Sequence, residues 1–133
     1  MTYLLDTCTV SDFAKGERNT LRHIKLMTPS DIFISSITLM EIHYGMLLNP
    51  DSNQKIRYVI EDFLDVITIS PFTETEATEA GKIRTILKAQ GSPISAYNLL
   101  IAATAKVHYL TIVTSNVKEF ERVPDLRVIN WRG

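Results

Sequence analysis

Tyr3-Leu4-Leu5-Asp6-Thr7, near the start of the chain, sets a pattern that the rest of the sequence repeats. A short apolar run ended by a polar pair predicts a buried strand with Asp6 at its carboxyl end. The residues that follow predict a helix through Val10 to Lys15 that ends at Gly16, because glycine adopts the left-handed conformation of a helix end at little cost. The unit is therefore a strand, an acidic residue and a helix.

Strands and helices alternate along the remaining chain. Apolar residues at Ile56, Ile60 and Phe63 follow a 3.6-residue period and predict an amphipathic helix. This alternation predicts an α/β fold with a mainly parallel central sheet of about five strands and helices on both faces. The further predicted strands are Ile32–Ile34, Val66–Ile69, Leu110–Thr114 and Val128–Ile129, and the further predicted helices cover residues 37–48, 56–64, 73–90 and 95–107.

Length and composition limit the domain count and the type of partner. The 133 residues, 45% hydrophobic and 22% charged, suffice for one buried core, so we expect a single domain over residues 1–133. A net charge of −1 provides no global basic field, so contact with nucleic acid would need a local patch. One cysteine, no signal-peptide pattern and no membrane-length apolar run predict a cytoplasmic location.

Polar residues that follow the predicted strands are the first candidates for a functional site. In open parallel α/β sheets, sites form in the crevice outside the carboxyl ends of the strands. Asp6, Asn116 and the segment Ser35–Glu41 have such positions. Asn98 joins them only if the helix capped by Ser95 directs its N-terminus into the same crevice. Oxygen ligands of this kind suit Mg²⁺ or Mn²⁺, with a phosphate as the natural partner.

Each candidate also has a purely structural interpretation. Asp6 could cap the following helix, Glu41 could be an exposed helix residue, and Asn116 is a common type of turn residue. No glycine-rich phosphate loop, two-cysteine metal motif or G-x-S-x-G motif is present to favour another chemistry. One predicted helix carries a basic group that could meet RNA phosphates, although a solvated helix face is its default interpretation: Lys82, Arg84 and Lys88.

Three segments together resemble the PIN-domain ribonucleases, and specifically the bacterial VapC toxins. They are Tyr3–Thr7, Ile34–Ile42 with the following Tyr44-Gly45, and Pro93–Phe120. The resemblance covers nearly the whole chain, including the ending Val123–Trp131. It implies a PIN-like fold and a toxin that is an endoribonuclease dependent on Mg²⁺, or on Mn²⁺. It also implies a homodimer, a VapB-like antitoxin partner, and an RNA substrate for which tRNA is a candidate.

The resemblance implies roles for individual residues. Asp6 looks like the family's first metal-binding aspartate, Glu41 looks like its glutamate, and Asn98 lies where these toxins usually carry an aspartate. Asn116 lies where many relatives have a fourth acidic residue, with Glu119 as a substitute. The implied metal ligands are Asp6, Glu41 and Asn98, and Asn116 and Glu119 complete the implied catalytic set. Three small polar residues look like those that line such sites: Thr7, Thr114 and Ser115.

Asn98 is the departure from the family pattern among the implied metal ligands. An asparagine offers an amide oxygen to Mg²⁺ but contributes no negative charge. We therefore expect weaker metal binding and impaired cleavage by this chain. The alternative is a catalytically silent PIN domain that binds an antitoxin or RNA. A signalling receiver domain is disfavoured, because it would need an adjacent acidic pair after the first strand.

Overall fold

A computed structural model describes residues 1–50 and 54–133 as one parallel sheet flanked by helices. The strands of the described part are β1 (Tyr3–Leu5), β2 (Ile32–Ser35), β3 (Thr68–Ser70), β4 (Thr111–Val113) and β5 (Val128–Ile129). Its helices are α1 (Thr7–Lys15), α2 (Arg18–Lys25), α3 (Ser36–Leu48), α4 (Gln54–Val66), α5 (Glu74–Ala89), α6 (Ala96–Val107) and α7 (Val117–Phe120), with a 3₁₀ turn at Pro29–Asp31.

The strand order places β1 at the centre of the sheet. The order is β3-β2-β1-β4-β5, and every neighbouring pair is parallel, which confirms the predicted mainly parallel sheet. From β1 the chain builds outward through β2 and β3, then returns to the opposite side of β1 for β4 and β5. The carboxyl ends of β1 and β4 therefore meet at the switch point, where open α/β sheets form their sites.

Successive residues of the central strands pack into two cores on opposite faces of the sheet. Leu4 and Ile112 belong to a core with residues of α5 and α6, whereas Leu5 and Val113 belong to a core with residues of α1, α3 and α4. This division follows from the alternation of side chains along a strand. All four side chains are fully buried, and each such burial stabilises the fold by about 1.5–3 kcal/mol. Helices on both faces were predicted and are confirmed.

Several predicted helix ends are confirmed. Gly16 follows α1 with φ of +80°, in the left-handed region that favours glycine. The Ser35 hydroxyl caps α3 by accepting the Thr38 backbone N–H at 3.0 Å. Glu76 closes a capping box at the predicted start of α5 by accepting hydrogen bonds from the backbone N–H and the hydroxyl of Thr73, at 2.7 and 2.6 Å.

Other local predictions were wrong. The predicted strand Val66–Ile69 begins too early, because Val66 is the last residue of α4 and β3 is Thr68–Ser70. Pairing in register with β2, which sets Ile69 opposite Ile34, decides where β3 lies. Helix α2 was not predicted, because it is short and mostly polar, with only Leu21 and Ile24 as apolar residues. The four-residue helix α7 was too short to predict.

The end of the chain is anchored on α1 and α2. Trp131 is buried and stacks on His23, with ring centroids 5.2 Å apart and planes 6° from parallel. Arg132 makes a bidentate ion pair with Asp12, at 2.6 and 2.7 Å. Its backbone carbonyl accepts the Asn19 side-chain amide at 2.6 Å. Across residues 1–50 and 54–133, no helix is long and apolar enough to cross a membrane.

Glu76 should make stability depend on pH. The hydrogen bond from the Thr73 hydroxyl lowers the pKa of Glu76 below its ordinary 4.5, against the opposing effect of burial. A carboxyl group with a lowered folded-state pKa stabilises the fold above about pH 4.5, and this stabilisation is lost as the pH falls through the folded-state pKa. Glu76→Gln removes the titrating group, so its unfolding free energy should change less with pH in that window.

Urea denaturation at a series of pH values from 7 down to about 3 measures this effect. Glu79, a partly buried residue on the same helix outside the capping box, provides the control variant Glu79→Gln, which should follow the unmodified chain. Parallel pH curves for Glu76→Gln and the unmodified chain would contradict the prediction.

Candidate active site

A cavity of about 340 Å³ opens at the switch point, outside the carboxyl ends of β1 and β4. Two carboxylates and two amides share it, since Asp6 follows β1, Glu41 comes from α3, Asn98 from α6, and Asn116 follows β4. The structure thus brings together four of the five residues that the sequence proposed for the site. The remaining lining residues are Thr7, Cys8, Ser95, Ala96 and Tyr97. The chemical roles of the proposed residues stay predictions.

Asp6 is the most buried acid of the cavity, with 3% of its surface exposed. Its Oδ1 accepts the Thr9 backbone N–H at 2.9 Å, and its Oδ2 accepts the Thr114 hydroxyl at 2.5 Å. Burial raises the pKa of Asp6, and these hydrogen bonds offset the rise only in part. The carboxylate therefore caps α1 and lines the cavity at once, so the structural and the functional interpretations of Asp6 apply together.

Glu41 is oriented by a hydroxyl from the opposite wall of the cavity. The Thr7 hydroxyl donates to Glu41 Oε1 at 2.6 Å, and the Thr38 hydroxyl lies 3.3 Å from Thr7 Oγ1. Because α3 starts at its Ser35 cap, Glu41 lies between one and two turns into the helix, where it reaches back over β1. One oxygen of this half-buried carboxylate is thereby held in place.

Glu119 braces the cavity from outside its lining. Its Oε1 accepts the Ser95 backbone N–H at 2.6 Å, and its Oε2 accepts the Asn116 side-chain amide at 2.7 Å. Burial is the largest influence on Glu119 and favours the neutral acid, but hydrogen bonds from Ser95, Asn116 and Asn98 together lower its pKa. Glu119 thus ties α7 to the start of α6, and its catalytic role stays a prediction.

Some residues at the cavity carried no signal in the sequence. Tyr97 and Cys8 line it, but neither belongs to a recognisable motif. Burial raises the pKa of the Cys8 thiol, and nearby carboxylates raise it further, in decreasing order Asp6, Asp12 and Glu41.

Two further residues differ from the sequence-based expectation for the site. Asp12 was not proposed as a residue near the site, because its closeness to the site depends on the fold of α1. Ser115, which was expected to line the site, is not among the lining residues.

The donor set of the cavity fits a hard divalent cation. Neither Asp6 nor Glu41 takes part in the ion pairs found within the described residues, so the cavity holds negative charge without a cationic partner. The oxygens of Asp6, Glu41 and Asn98 are the ligand type that Mg²⁺ and Mn²⁺ prefer. Over the same residues, no group of three or more His, Cys, Asp or Glu side chains could hold a metal. A cation here would therefore depend on amide oxygens as well as carboxylates.

Comparison with known proteins assigns the fold to a family. The family model of the PIN domain matches residues 3–126. This chain belongs to the PIN-domain family. It is 34% identical over 131 residues to the tRNA(fMet)-specific endonuclease VapC of Salmonella typhimurium, with 97% of each chain covered. It is 35% identical over 129 residues to ribonuclease VapC2 of Haemophilus influenzae, again with 97% of each covered. The chain is thus a PIN domain of the VapC type.

Solved structures support the same assignment. The crystal structure of VapBC2 from Rickettsia felis bound to a promoter DNA fragment matches with a TM-score of 0.88 and 32% identity, over 98% of this chain and 99% of that one. DNA-bound VapBC from Salmonella typhimurium matches with a TM-score of 0.85 and 31% identity, over 98% of both chains. The PIN-like fold expected from the sequence is therefore confirmed.

Asp6 should lower the stability of the metal-free PIN domain. A carboxyl group with a raised folded-state pKa costs stability once it is ionised, so the cost appears as the pH rises above the ordinary 3.8 and is complete above the folded-state pKa. In chelator at pH 7, Asp6→Asn should therefore have a higher free energy of unfolding than the unmodified chain. Added Mg²⁺ or Mn²⁺ should stabilise the unmodified chain more than the variant.

Chemical denaturation with chelator or with metal measures both effects. Asp62→Asn, an exposed position on α4, is the control and should change neither. The prediction would be contradicted if, without metal, the free energy of unfolding of the unmodified chain equalled or exceeded that of Asp6→Asn.

Proposed function

We propose that this PIN domain is the toxin of a VapBC-type toxin–antitoxin pair and hydrolyses RNA phosphodiester bonds as a divalent-metal-dependent endoribonuclease. The main support for this proposal is the cavity at the switch point, where Asp6 and Glu41 form no ion pair with another described residue. The chain is also related over nearly its whole length to VapC ribonucleases. The proposal includes a cytoplasmic location, because the toxin has to meet its RNA substrate and its antitoxin there.

The metal proposed for the site is Mg²⁺, with Mn²⁺ as the substitute, held by Asp6, Glu41 and Asn98. When bound, it orients and activates a water and stabilises charge on the phosphodiester oxygens. The protein's own contribution is to hold the ligands. Thr114 fixes Asp6 and Thr7 fixes Glu41, each through a short hydrogen bond. Such fixed ligands reduce the reorganisation that the site needs during reaction.

The proposed substrate class is structured RNA, with tRNA as the first candidate. The relatives from Salmonella typhimurium and Shigella flexneri, both 34% identical to this chain, are named tRNA(fMet)-specific endonucleases. The cavity is open to solvent beside exposed residues such as Tyr97, so an RNA strand can enter it without threading through the protein. The relatives' specificity supports tRNA as the RNA to assay first.

Asn98→Asp should raise both metal affinity and cleavage. The variant adds a third carboxylate beside Asp6 and Glu41, which strengthens the attraction to a divalent cation. We expect Mg²⁺ to raise the melting temperature of the variant more than that of the unmodified chain. RNA cleavage should increase by about two orders of magnitude or more, and expression without antitoxin should arrest growth.

A paired assay of the two proteins on structured RNA with Mg²⁺ tests this, with Asp6→Ala in the Asn98→Asp background as the inactive control. If Asn98 were only a first-turn helix residue, aspartate there would add about 0.3–1 kcal/mol of stability through the helix dipole and leave cleavage unchanged. Equal, negligible cleavage by both proteins would favour the alternative, a silent PIN domain that binds its antitoxin or RNA.

The proposed antitoxin site is an apolar cavity that adjoins the acidic one. This antitoxin groove has a volume of about 390 Å³ and lies between α1, α3 and α4. Val10, Ile42 and Ile60 contribute apolar lining, and Thr7 and Glu41 line both cavities. An antitoxin segment with an apolar side can therefore fill the groove while a basic side chain reaches Glu41. Similar solved structures include VapBC complexes, which supports such a partner.

The proposed homodimer has a candidate surface on the outer side of α3. Tyr44, Leu47 and Leu48 are 62%, 79% and 59% exposed, and they are spaced as neighbours on one helix face. A contiguous apolar surface of this kind marks an association site more often than a solvated face. Size-exclusion chromatography of Leu47→Glu against the unmodified chain reports whether this face joins two copies.

Gly45→Lys should abolish antitoxin binding without harming the fold. Gly45 lines the antitoxin groove, and a side-chain carbon added there meets no atom within 4 Å. Replacing a helical glycine should stabilise α3 by about 0.5–1 kcal/mol, while the charged side chain occupies the groove. Gly81→Lys is the matched control, because Gly81 is a helical glycine of α5 with the same free space.

Co-expression with the antitoxin encoded beside the gene, followed by size-exclusion chromatography, provides the measurement. The unmodified chain and Gly81→Lys should co-elute with the antitoxin, and Gly45→Lys should elute alone. Co-elution of Gly45→Lys with the antitoxin would show that the antitoxin binds another surface. Separate elution of all three proteins from the antitoxin would contradict the proposed partner.

A further inference from the structure

A third cavity, which we call the basic groove, lies between α5 and α6 beside the active site. Its volume is about 560 Å³, and Ala96 lines both this groove and the active-site cavity. Its apolar wall is formed by Leu87, Ile94, Leu99 and Leu100. The groove is therefore a continuation of the active site along the surface, and neither the proposed metal nor the proposed antitoxin uses it.

Two cations edge this groove without a partner of opposite charge. Arg84 and Lys88 are exposed and lie one turn apart on α5, and neither forms an ion pair within the described residues. No carboxylate lines the groove. Arg122 lies beside it, because its Nη1 donates to the Pro93 carbonyl at 2.9 Å. Like charges at this spacing on a helix repel each other, so they lower stability slightly unless an anion binds.

Lys82, on the same helix, has different surroundings. It lines a separate cavity together with Glu74 and Glu79, so its charge lies among carboxylates. The three cations that the sequence grouped together therefore divide into a pair that faces the basic groove and one that does not. This division makes Lys82 a matched control for the other two.

We propose that the basic groove binds the RNA strand just beyond the two nucleotides that the cleaved phosphodiester joins. Arg84 and Lys88 would contact backbone phosphates, and the apolar wall would take a base or ribose face, the combination that single-stranded RNA sites use. The proposal rests on the proposed ribonuclease function. With a net charge of −1 and an acidic catalytic cavity, the protein needs a local cationic anchor to hold a phosphate chain there.

Binding of a fluorescently labelled single-stranded RNA of about ten nucleotides, within the usual range of single-strand site sizes, tests the groove without relying on catalysis. Arg84→Gln and Lys88→Gln should each weaken binding several-fold at low salt. Each should also reduce the slope of log affinity against log salt by about 0.7, the loss expected for one phosphate contact on a single strand. Lys82→Gln removes the same charge from the same helix and should change neither quantity.

Steady-state kinetics in the Asn98→Asp background distinguish an effect on RNA binding from an effect on the cleavage step. On the same RNA of about ten nucleotides, Arg84→Gln and Lys88→Gln should raise KM several-fold while kcat stays unchanged. On a dinucleotide, which is too short to reach the groove, the same variants should match Lys82→Gln. Circular dichroism spectra that match the unmodified chain, with melting temperatures that are no lower, establish that these exposed substitutions leave the fold intact.

The outcomes distinguish the groove from the function on which it rests. If the unmodified chain binds RNA and all three variants weaken it equally, the groove proposal fails and the ribonuclease function stands. If the groove variants change the oligomeric state and leave RNA affinity unaltered, the groove is occupied by a second copy and the proposal is overturned. If the unmodified chain binds no RNA, both proposals fail.

Discussion

The hydrogen-bonded burial of Asp6 is the constraint on which the rest of the site depends. Its carboxylate is held by the Thr9 backbone N–H at the start of α1 and by the Thr114 hydroxyl after β4, 108 positions away in the chain. The Thr114 contact exists only because β4 lies beside β1 in the sheet. Burial raises the pKa of Asp6, so the fold maintains a charge that it does not itself neutralise. A divalent cation is the natural complement of that arrangement.

The remaining polar residues of the site fix geometry more than they add charge. Thr7 orients Glu41, and Glu119 holds both Asn116 and the start of α6. Two neighbouring cavities carry opposite charge. Carboxylates line the catalytic cavity, and cations without an ion-pair partner among the described residues lie at the edge of the basic groove. A chain with nearly no net charge can in this way present a negative site to a metal and a positive surface to a phosphate chain.

Elements with a strong local pattern were predictable, and elements decided by packing were not. The buried runs that became β1, β2 and β4 and the amphipathic period of α4 carry their own signal. Helix α2 has only two apolar residues to carry such a signal, and its start is fixed by Glu17, whose carboxylate accepts the Thr20 backbone N–H at 2.8 Å. The start of β3 was misplaced because its register with β2, not local composition, decides where the strand begins.

The sequence by itself determined the fold class, the order of the five strands along the chain, and the polar residues that follow β1 and β4, including Asp6 and Asn116. Only the tertiary structure decided that Glu119 braces the site, that Asp12 pairs with Arg132, and that Lys82 faces away from the basic groove. The physical reason is range. Periodicity and capping act over a few neighbouring residues, whereas these contacts depend on strand order and helix packing, which bring together side chains far apart in the chain.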